Sequence, residues 1–152
     1  MSLDAVDDAV ARLVAGGLAS PEEVLGCSDD EIREVEREAR GQLPAAYRRF
    51  LARMGRSAGA FLRGSDFLYP AVTGLRSDAE ALLKIRQAEW SLGPTDFVFL
   101  GHQGYVFLFF NTSAGDDPPV RRFMEDEPPE EVSPSFSGWL TGCVENQIAH
   151  RK

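Results

Sequence analysis

The sequence predicts an α+β domain, and three observations support this class. Helical periodicity and capping signals fill the first third, two apolar runs without alternation follow in the second half, and an amphipathic aromatic segment ends the chain. Apolar runs without alternation are typical of strands buried on both faces, with helices on at least one face. A length of 152 residues is usual for one domain, and we expect residues 1–152 to form a single one.

Three helices are predicted before residue 56. The first has apolar residues at helical spacing and ends at Gly16-Gly17. The second follows the capping box formed by Ser28 and Glu31, and Gly41 is expected to take its left-handed C-terminal position. The third begins after Leu43-Pro44 and turns one apolar stripe inward, made of Tyr47, Phe50, Leu51 and Met54.

Residues 61–90 predict an irregular hairpin and a fourth helix. The segments 61–62 and 67–69 have strand character, and residues 63–66 between them have the composition of a turn. Ser77 and Glu80 form another capping box, from which a helix is expected to run to about Trp90. The residues expected to face inward from this helix are Leu82, Leu83 and Ile85.

The remaining elements are strands and one last helix. Residues 97–100 and 105–110 predict two central strands joined by the turn 101–104. Residues 120–124 predict a third strand, and the acidic, proline-bearing segment 125–131 predicts a loop. Ser135 caps a final helix, whose apolar face carries Phe136, Trp139, Leu140, Cys143, Val144 and Ile148.

Composition argues against several classes of protein. No apolar run approaches the ~18 residues that span a bilayer, and the amino terminus is acidic, so we expect a cytoplasmic protein without a membrane partner. Cys27 and Cys143 lack CxxC spacing and a neighbouring histidine, which predicts reduced, packed cysteines and no zinc site. The acidic runs lack the spacing of a calcium loop, and we expect no cofactor. A pI near 4.8 argues against nucleic acid as the main partner.

One catalytic motif is matched. Residues 55–59 satisfy GxSxG, the elbow that presents a nucleophilic serine, here Ser57, in α/β-hydrolases. The elbow should follow a strand and open a helix, whereas here a helix precedes it and turn-rich sequence follows. Only His102 and His150 could serve as the base. His102 is predicted in a turn and His150 lies near the carboxyl terminus, so we expect both to be solvated or structural residues. We therefore assign no catalytic residue, and a small serine hydrolase remains the alternative function.

Charge is segregated along the chain. Residues 1–39 carry eleven acids against three arginines, whereas residues 40–63 carry six arginines and no acid. A second acidic stretch lies between Asn111 and Pro134. Such segregation can steer a charged partner, or the acidic and basic segments can neutralise one another across the fold.

The order of these motifs carries a family resemblance. A helix opened by Ser28 and Glu31 leads into Leu43-Pro44-x-x-Tyr47-x-x-Phe50-Leu51, then into apolar strands and the aromatic segment 136–140. This set resembles the SUKH superfamily, which joins Smi/Knr-type regulators of fungal cell-wall synthesis to bacterial immunity proteins that neutralise toxins. The resemblance covers about residues 27–148. Many members follow the Tyr-x-x-Phe-Leu helix with an Asn-Gly-Gly turn, which is absent from residues 55–59 here, so no subfamily is implied.

The resemblance implies a mixed, mainly antiparallel sheet flanked by helices and no shared catalytic residue. It also implies a protein partner, either a cognate toxin domain or the target of a regulatory scaffold. Family members differ too much in their binding residues for a site to be carried over, so candidate surfaces come from charge alone. Toxins of this kind are often nucleases with basic clefts, which carboxylates can occupy in place of phosphates.

Two candidate surfaces follow from the charge pattern. The first is acidic and lies in two proline-bearing connections around the predicted third strand: Asp116, Asp117, Glu125, Asp126, Glu127, Glu130 and Glu131. These acids could instead keep the loops soluble or pair with arginines of the third helix. The second candidate is that arginine-bearing face itself: Arg48, Arg49, Arg53 and Arg56.

Overall fold

The structure is a computed structural model, which describes residues 2–124 and 127–150. Within those ranges the helices are α1 (Ser2–Ala15), α2 (Asp29–Ala39), α3 (Ala45–Met54), α4 (Leu75–Ile85) and α5 (Phe136–Ala149). The strands are β1 (Val24–Leu25), β2 (Ser57–Ala58), β3 (Ser65–Asp66), β4 (Asp96–His102), β5 (Val106–Asn111), β6 (Val120–Met124) and β7 (Glu130–Ser133). These elements confirm the α+β class.

The main sheet has five strands in the order β3-β4-β5-β6-β7, and each pairing between described strands is antiparallel. The strands predicted at 97–100, 105–110 and 120–124 are confirmed. The turn between the first two is shorter than predicted, because β4 continues to His102. Three residues, 103–105, connect the strands. Gln103 and Gly104 have φ of 54° and 79° and are the central residues of a type I′ turn, in which the Tyr105 N–H donates to the His102 carbonyl at 3.3 Å. β1 and β2 form a separate small sheet.

Helices and aromatic side chains cover both faces of the central strands. On one face Tyr47 of α3 and Phe136 of α5 lie against the rings of Phe99 and Phe110, with centroid distances of 5.2–6.1 Å. On the other face α4 packs against β4, and the ring of Trp90 lies against Phe109 and Phe123. This double coverage explains why the apolar residues of β4 and β5 do not alternate with polar ones.

The first helix belongs to the same core. α1 packs against α3 and α5, and its residues Val6 and Leu13 are both 0% exposed. It ends in a Schellman motif at Gly17, whose φ is 80°: the Leu18 N–H donates to the Leu13 carbonyl at 3.1 Å. The predicted end of this helix is therefore confirmed.

The predicted hairpin over residues 61–69 is wrong. Phe61 and Phe67 are buried, but their rings meet each other at 5.9 Å instead of lying on paired strands. The strand in this region is β3, on residues that were predicted to be a turn, and it pairs with β4 through Ser65 opposite His102. Two polar residues at a sheet edge carry no apolar pattern that would predict a strand.

The bounds predicted for α4 are also wrong. The helix begins at Leu75, directly after a 3-10 turn over Ala71–Gly74, so Ser77 lies inside it and caps nothing. It ends at Ile85 and not near Trp90, because Gln87 has φ of 54° and closes a Schellman motif in which the Ala88 N–H donates to the Leu83 carbonyl at 3.0 Å. Ile85 was predicted to face inward, yet it is 76% exposed.

Two smaller predictions need correction. In α2 the left-handed residue is Arg40, with φ of 60°, and not Gly41. The segment 125–131 is not a loop throughout, since Glu130 and Glu131 belong to β7. Glu125 and Asp126 lie outside the described residues.

Candidate protein-binding surfaces

The acidic candidates do not form one cluster. Asp116 and Asp117 lie before β6, whereas Glu127 lies after it, so these residues are at opposite ends of the strand. Glu130 and Glu131 lie beside the strand, because β7 pairs them with Arg122 and Arg121. A single partner contact would therefore involve only one end of β6.

The carboxylate of Asp117 is occupied inside the fold. It accepts hydrogen bonds from the backbone N–H and the hydroxyl of Ser137, at 2.8 and 2.5 Å. Ser137 lies in the first turn of α5, where backbone N–H groups lack helical partners and a negative charge is favourable. Asp117 thus has a structural role at this helix terminus, which leaves little of its carboxylate for a partner.

Two more acids lie opposite arginines of β6. Arg122 forms an ion pair with Glu130. Glu131 lies opposite Arg121, whose guanidinium also lies 5.4 Å from the centroid of the Phe109 ring. Asp116 and Glu127 are exposed and form no ion pair with any residue of the described ranges. The acidic surface is therefore smaller than the charge pattern suggests.

The arginine candidates are paired with acids of the amino-terminal segment. Asp7 of α1 binds both Arg49, at 2.8 Å, and Arg53, at 2.6 Å. Arg48 forms an ion pair with Glu36 of α2 at 2.9 Å. Arg56 pairs with Glu31 of α2 and lies 5.7 Å from the centroid of the Tyr69 ring. Three acids of residues 1–39 thus pair with four of the six arginines of residues 40–63, and none of these four arginines pairs with an acid of residues 116–124 or 127–131.

A groove lies beside Glu127, and the charge pattern of the sequence did not predict it. A cavity of about 390 Å³ lies between the segment after α4 and the end of β6. Its lining combines polar side chains, among them Arg86 and Glu89, with the apolar ones of Leu83, Trp90, Met124 and Pro128. Trp90 is half-buried, and its indole meets the Phe123 ring edge-to-face at a centroid distance of 4.9 Å. The sequence analysis missed this groove, because it extended the fourth helix to about Trp90. The early end of α4 instead turns Trp90 back onto the sheet.

The GxSxG match has no catalytic geometry among the described residues. Ser57 lies in β2, which follows α3 and pairs with β1, so the strand-to-helix elbow is missing. Nδ1 of His102 lies 2.9 Å from the hydroxyl of Ser65, and Nδ1 of His150 lies 2.8 Å from the carbonyl of Asn146. Neither histidine forms a hydrogen bond with Ser57 within residues 2–124 and 127–150.

Neither cysteine is poised to react. Both are free, and burial raises the pKa of each thiol to about 11. Over the described ranges, no three metal-binding side chains come together in a group that could hold an ion. No helix in the same ranges combines the length and the apolar character needed to cross a membrane.

The described residues form an α+β domain in which the arginine candidates Arg48, Arg49, Arg53 and Arg56 are all paired with acids. The groove beside Glu127 combines apolar and polar side chains. The model of the SMI1/KNR4 family (SUKH-1) matches residues 26–142, and the chain belongs to this family. Membership supports a non-catalytic immunity or regulatory module. The comparison with curated proteins gives no match.

Proposed function

We propose that this chain is a cytoplasmic immunity protein, which binds a cognate toxin domain and neutralises it. The observation that carries the proposal is its membership of the SMI1/KNR4 (SUKH-1) family. Among the described residues both histidines bond to groups other than Ser57, which favours this role over the serine-hydrolase alternative. A regulatory scaffold of the Smi/Knr type would also act by binding a protein, and the first experiment below distinguishes the two.

The groove beside Glu127 is the surface best suited to a protein partner. Tryptophan and methionine are enriched at the centres of protein interfaces, and Trp90 and Met124 both line the groove. Glu127 is exposed at its rim and places a negative charge in the same groove as these two apolar side chains. A lysine or arginine of the partner could lay its aliphatic stem on Trp90 and direct its charged end to Glu127.

Affinity capture followed by a toxicity assay tests the function. The tagged chain is used to capture proteins from its native host, and each captured protein is then expressed in a second bacterium with and without the chain. We expect one captured protein to arrest growth alone and to lose this effect when the chain is present. A captured protein that is harmless would favour the scaffold role, and a chain that captures none would contradict protein binding altogether.

Charge variants test the surface. Glu127→Gln removes one carboxylate from the rim of the groove, and Glu22→Gln removes an exposed carboxylate from the amino-terminal segment with the same change in net charge. We expect Glu127→Gln to slow association with the neutralised toxin by about threefold to tenfold at low salt, and less at high salt, because steering by charge is screened. Equal association rates for the two variants would exclude the Glu127 surface.

A further inference from the structure

A second groove is lined by hydrogen-bond donors. It has a volume of about 380 Å³ and lies between the loop that precedes β3, the end of β4 and the last turns of α5. Arg63, Ser65, His102 and Asn146 all line it. These side chains come from three separate elements, so the fold and not local sequence brings them together.

This groove is distinguished by its charge. The chain has a formal net charge of -8 at pH 7, yet the lining of this groove includes the cation of Arg63 and no carboxylate. Four other grooves on the described surface each contain at least one carboxylate, contributed for example by Glu127, Glu145, Asp78 and Glu80. Arg63 is exposed and forms no ion pair with another residue of the described ranges.

The loop that carries Arg63 is held in place by one side chain of α5. Gln147 accepts a hydrogen bond from the Leu62 N–H at 3.0 Å and donates one to the Ala60 carbonyl at 2.9 Å. Leu62 has φ of 49°, an unusual conformation for a residue with a Cβ atom, and the bonds from Gln147 offset its cost. The backbone next to Arg63 is therefore held in place before any ligand arrives.

Ser65 and His102 supply a donor in either tautomer of the ring. If the Ser65 hydroxyl donates to Nδ1 of His102, across 2.9 Å, Nε2–H remains free. If Nδ1–H donates instead, the hydroxyl proton of Ser65 remains free. The C-terminal end of a helix carries a partial negative charge, which is unfavourable for an anion. At this end of α5 the Asn146 carbonyl accepts hydrogen bonds from the backbone N–H and Nδ1 of His150, at 3.1 and 2.8 Å, so this carbonyl is already paired.

We propose that this groove binds an oxyanion, namely a phosphate or carboxylate group of a small ligand. Arg63 supplies the charge and a planar pair of N–H donors, which match the geometry of both groups. His102 or Ser65 and the side-chain amide of Asn146 supply the remaining donors. The site is separate from the groove beside Glu127 and does not depend on toxin binding.

Titration of the full, isotopically labelled chain tests this inference by nuclear magnetic resonance. Inorganic phosphate and acetate are added in separate series at constant ionic strength, and amide shifts are followed. We expect saturable shifts confined to residues 62–65, 102 and 143–147 with at least one of the two ions. Saturation by phosphate alone or by acetate alone identifies the group that the site accepts.

Three variants, one of them a matched control, separate specific binding from general attraction. Arg63→Gln should weaken binding at least tenfold, and His102→Gln should weaken it less, while both keep the amide spectrum of a folded chain. Arg37→Gln, an exposed arginine of α2 without an ion pair in the described ranges, should leave the affinity unchanged. Shifts scattered over the surface, equal affinities for Arg63→Gln and the parent chain, or an equal loss in Arg37→Gln would overturn the proposal.

Discussion

Asp7 and Arg49 form a bidentate pair across 42 residues of sequence, with Nε and Nη2 of the arginine donating at 2.9 and 2.8 Å. Asp7 also accepts from Nη1 of Arg53 at 2.6 Å, so one carboxylate of α1 binds two guanidinium groups of α3. These contacts hold the pKa of the Asp7 carboxyl below its usual value, chiefly through the hydrogen bond from Arg49.

Replacing Asp7 by asparagine should therefore destabilise the fold in a way that depends on pH. We expect the free energy of unfolding at pH 7 to fall by about 1 kcal/mol, the upper part of the range for exposed ion pairs. Because the folded-state pKa is lowered, this contribution is complete above about pH 4 and is lost as the pH falls further. Urea unfolding between pH 7 and pH 2.5 measures the difference. Asp8→Asn, next to it and exposed, is the control and should change little.

Tyr47 has a hydroxyl that lacks a hydrogen-bond partner among the described residues, although its side chain is 0% exposed. The ring packs against Phe97, Phe110 and Phe136, so its apolar part is well accommodated. Tyr47→Phe keeps the ring and removes the unsatisfied group. We expect this variant to be as stable as the parent chain or more stable by about 1 kcal/mol, since burying an unpaired hydroxyl has a cost.

Thermal and denaturant unfolding of Tyr47→Phe check this prediction. Phe50→Ala is the comparison, because Phe50 is 1% exposed and lies 5.7 Å from both Tyr47 and Phe136. It should lose about 3–5 kcal/mol. A loss above about 1 kcal/mol in Tyr47→Phe would mean that the hydroxyl has a partner in solution, such as a buried water.

Gln147 should contribute to stability through its two bonds to the loop before β3. Gln147→Ala leaves the Leu62 N–H and the Ala60 carbonyl without these partners, and we expect a loss of about 2 kcal/mol at about 1 kcal/mol for each bond. Hydrogen exchange at the Leu62 amide should accelerate more than at amides of β5. Asn146→Ala, whose side chain is exposed, is the control for helix propensity. Unchanged exchange at Leu62 would count against the role of Gln147.

The two cysteines should resist alkylation in the folded chain. With each thiol pKa at about 11, only roughly one molecule in a thousand carries the thiolate at pH 8. Iodoacetamide should therefore modify the native chain far more slowly than the urea-unfolded chain, and the rate should rise with pH up to about 11. Cys27→Ser and Cys143→Ser should each retain binding to the partner captured from the native host. Rapid labelling of either native thiol would show that its burial is incomplete.

The sequence predicted those helix ends where a side chain or a glycine performs the capping itself. Ser28 accepts the Glu31 N–H at 3.2 Å, and Gly17 takes the left-handed position after α1, both as expected. At the C-terminal ends of α2 and α4 the left-handed residues are Arg40 and Gln87. This conformation is less favourable for a residue with a Cβ atom than for glycine. No local signal predicts such a residue, so these helix ends were placed wrongly.

The charged surfaces were predicted less well for a related reason. Composition shows that residues 1–39 are acidic and residues 40–63 are basic, but not that Asp7 would meet Arg49 and Arg53. Such pairs form between helices that are distant in sequence, and their partners depend on how α1 and α2 pack on α3. The groove containing Trp90 was missed because its shape depends on where α4 ends.

α1 lies outside residues 26–142, the part of the chain that matches the family, yet Val6 and Leu13 on it are fully buried against the core. The segment that matches the family is therefore shorter than the set of elements that pack around the core here. A fragment beginning at residue 26 would expose the apolar sides of α3 and α5 that α1 covers, and open apolar surface of this kind promotes self-association. A chimera that carries residues 26–142 of this chain would therefore also need α1, because α1 covers the apolar sides of α3 and α5.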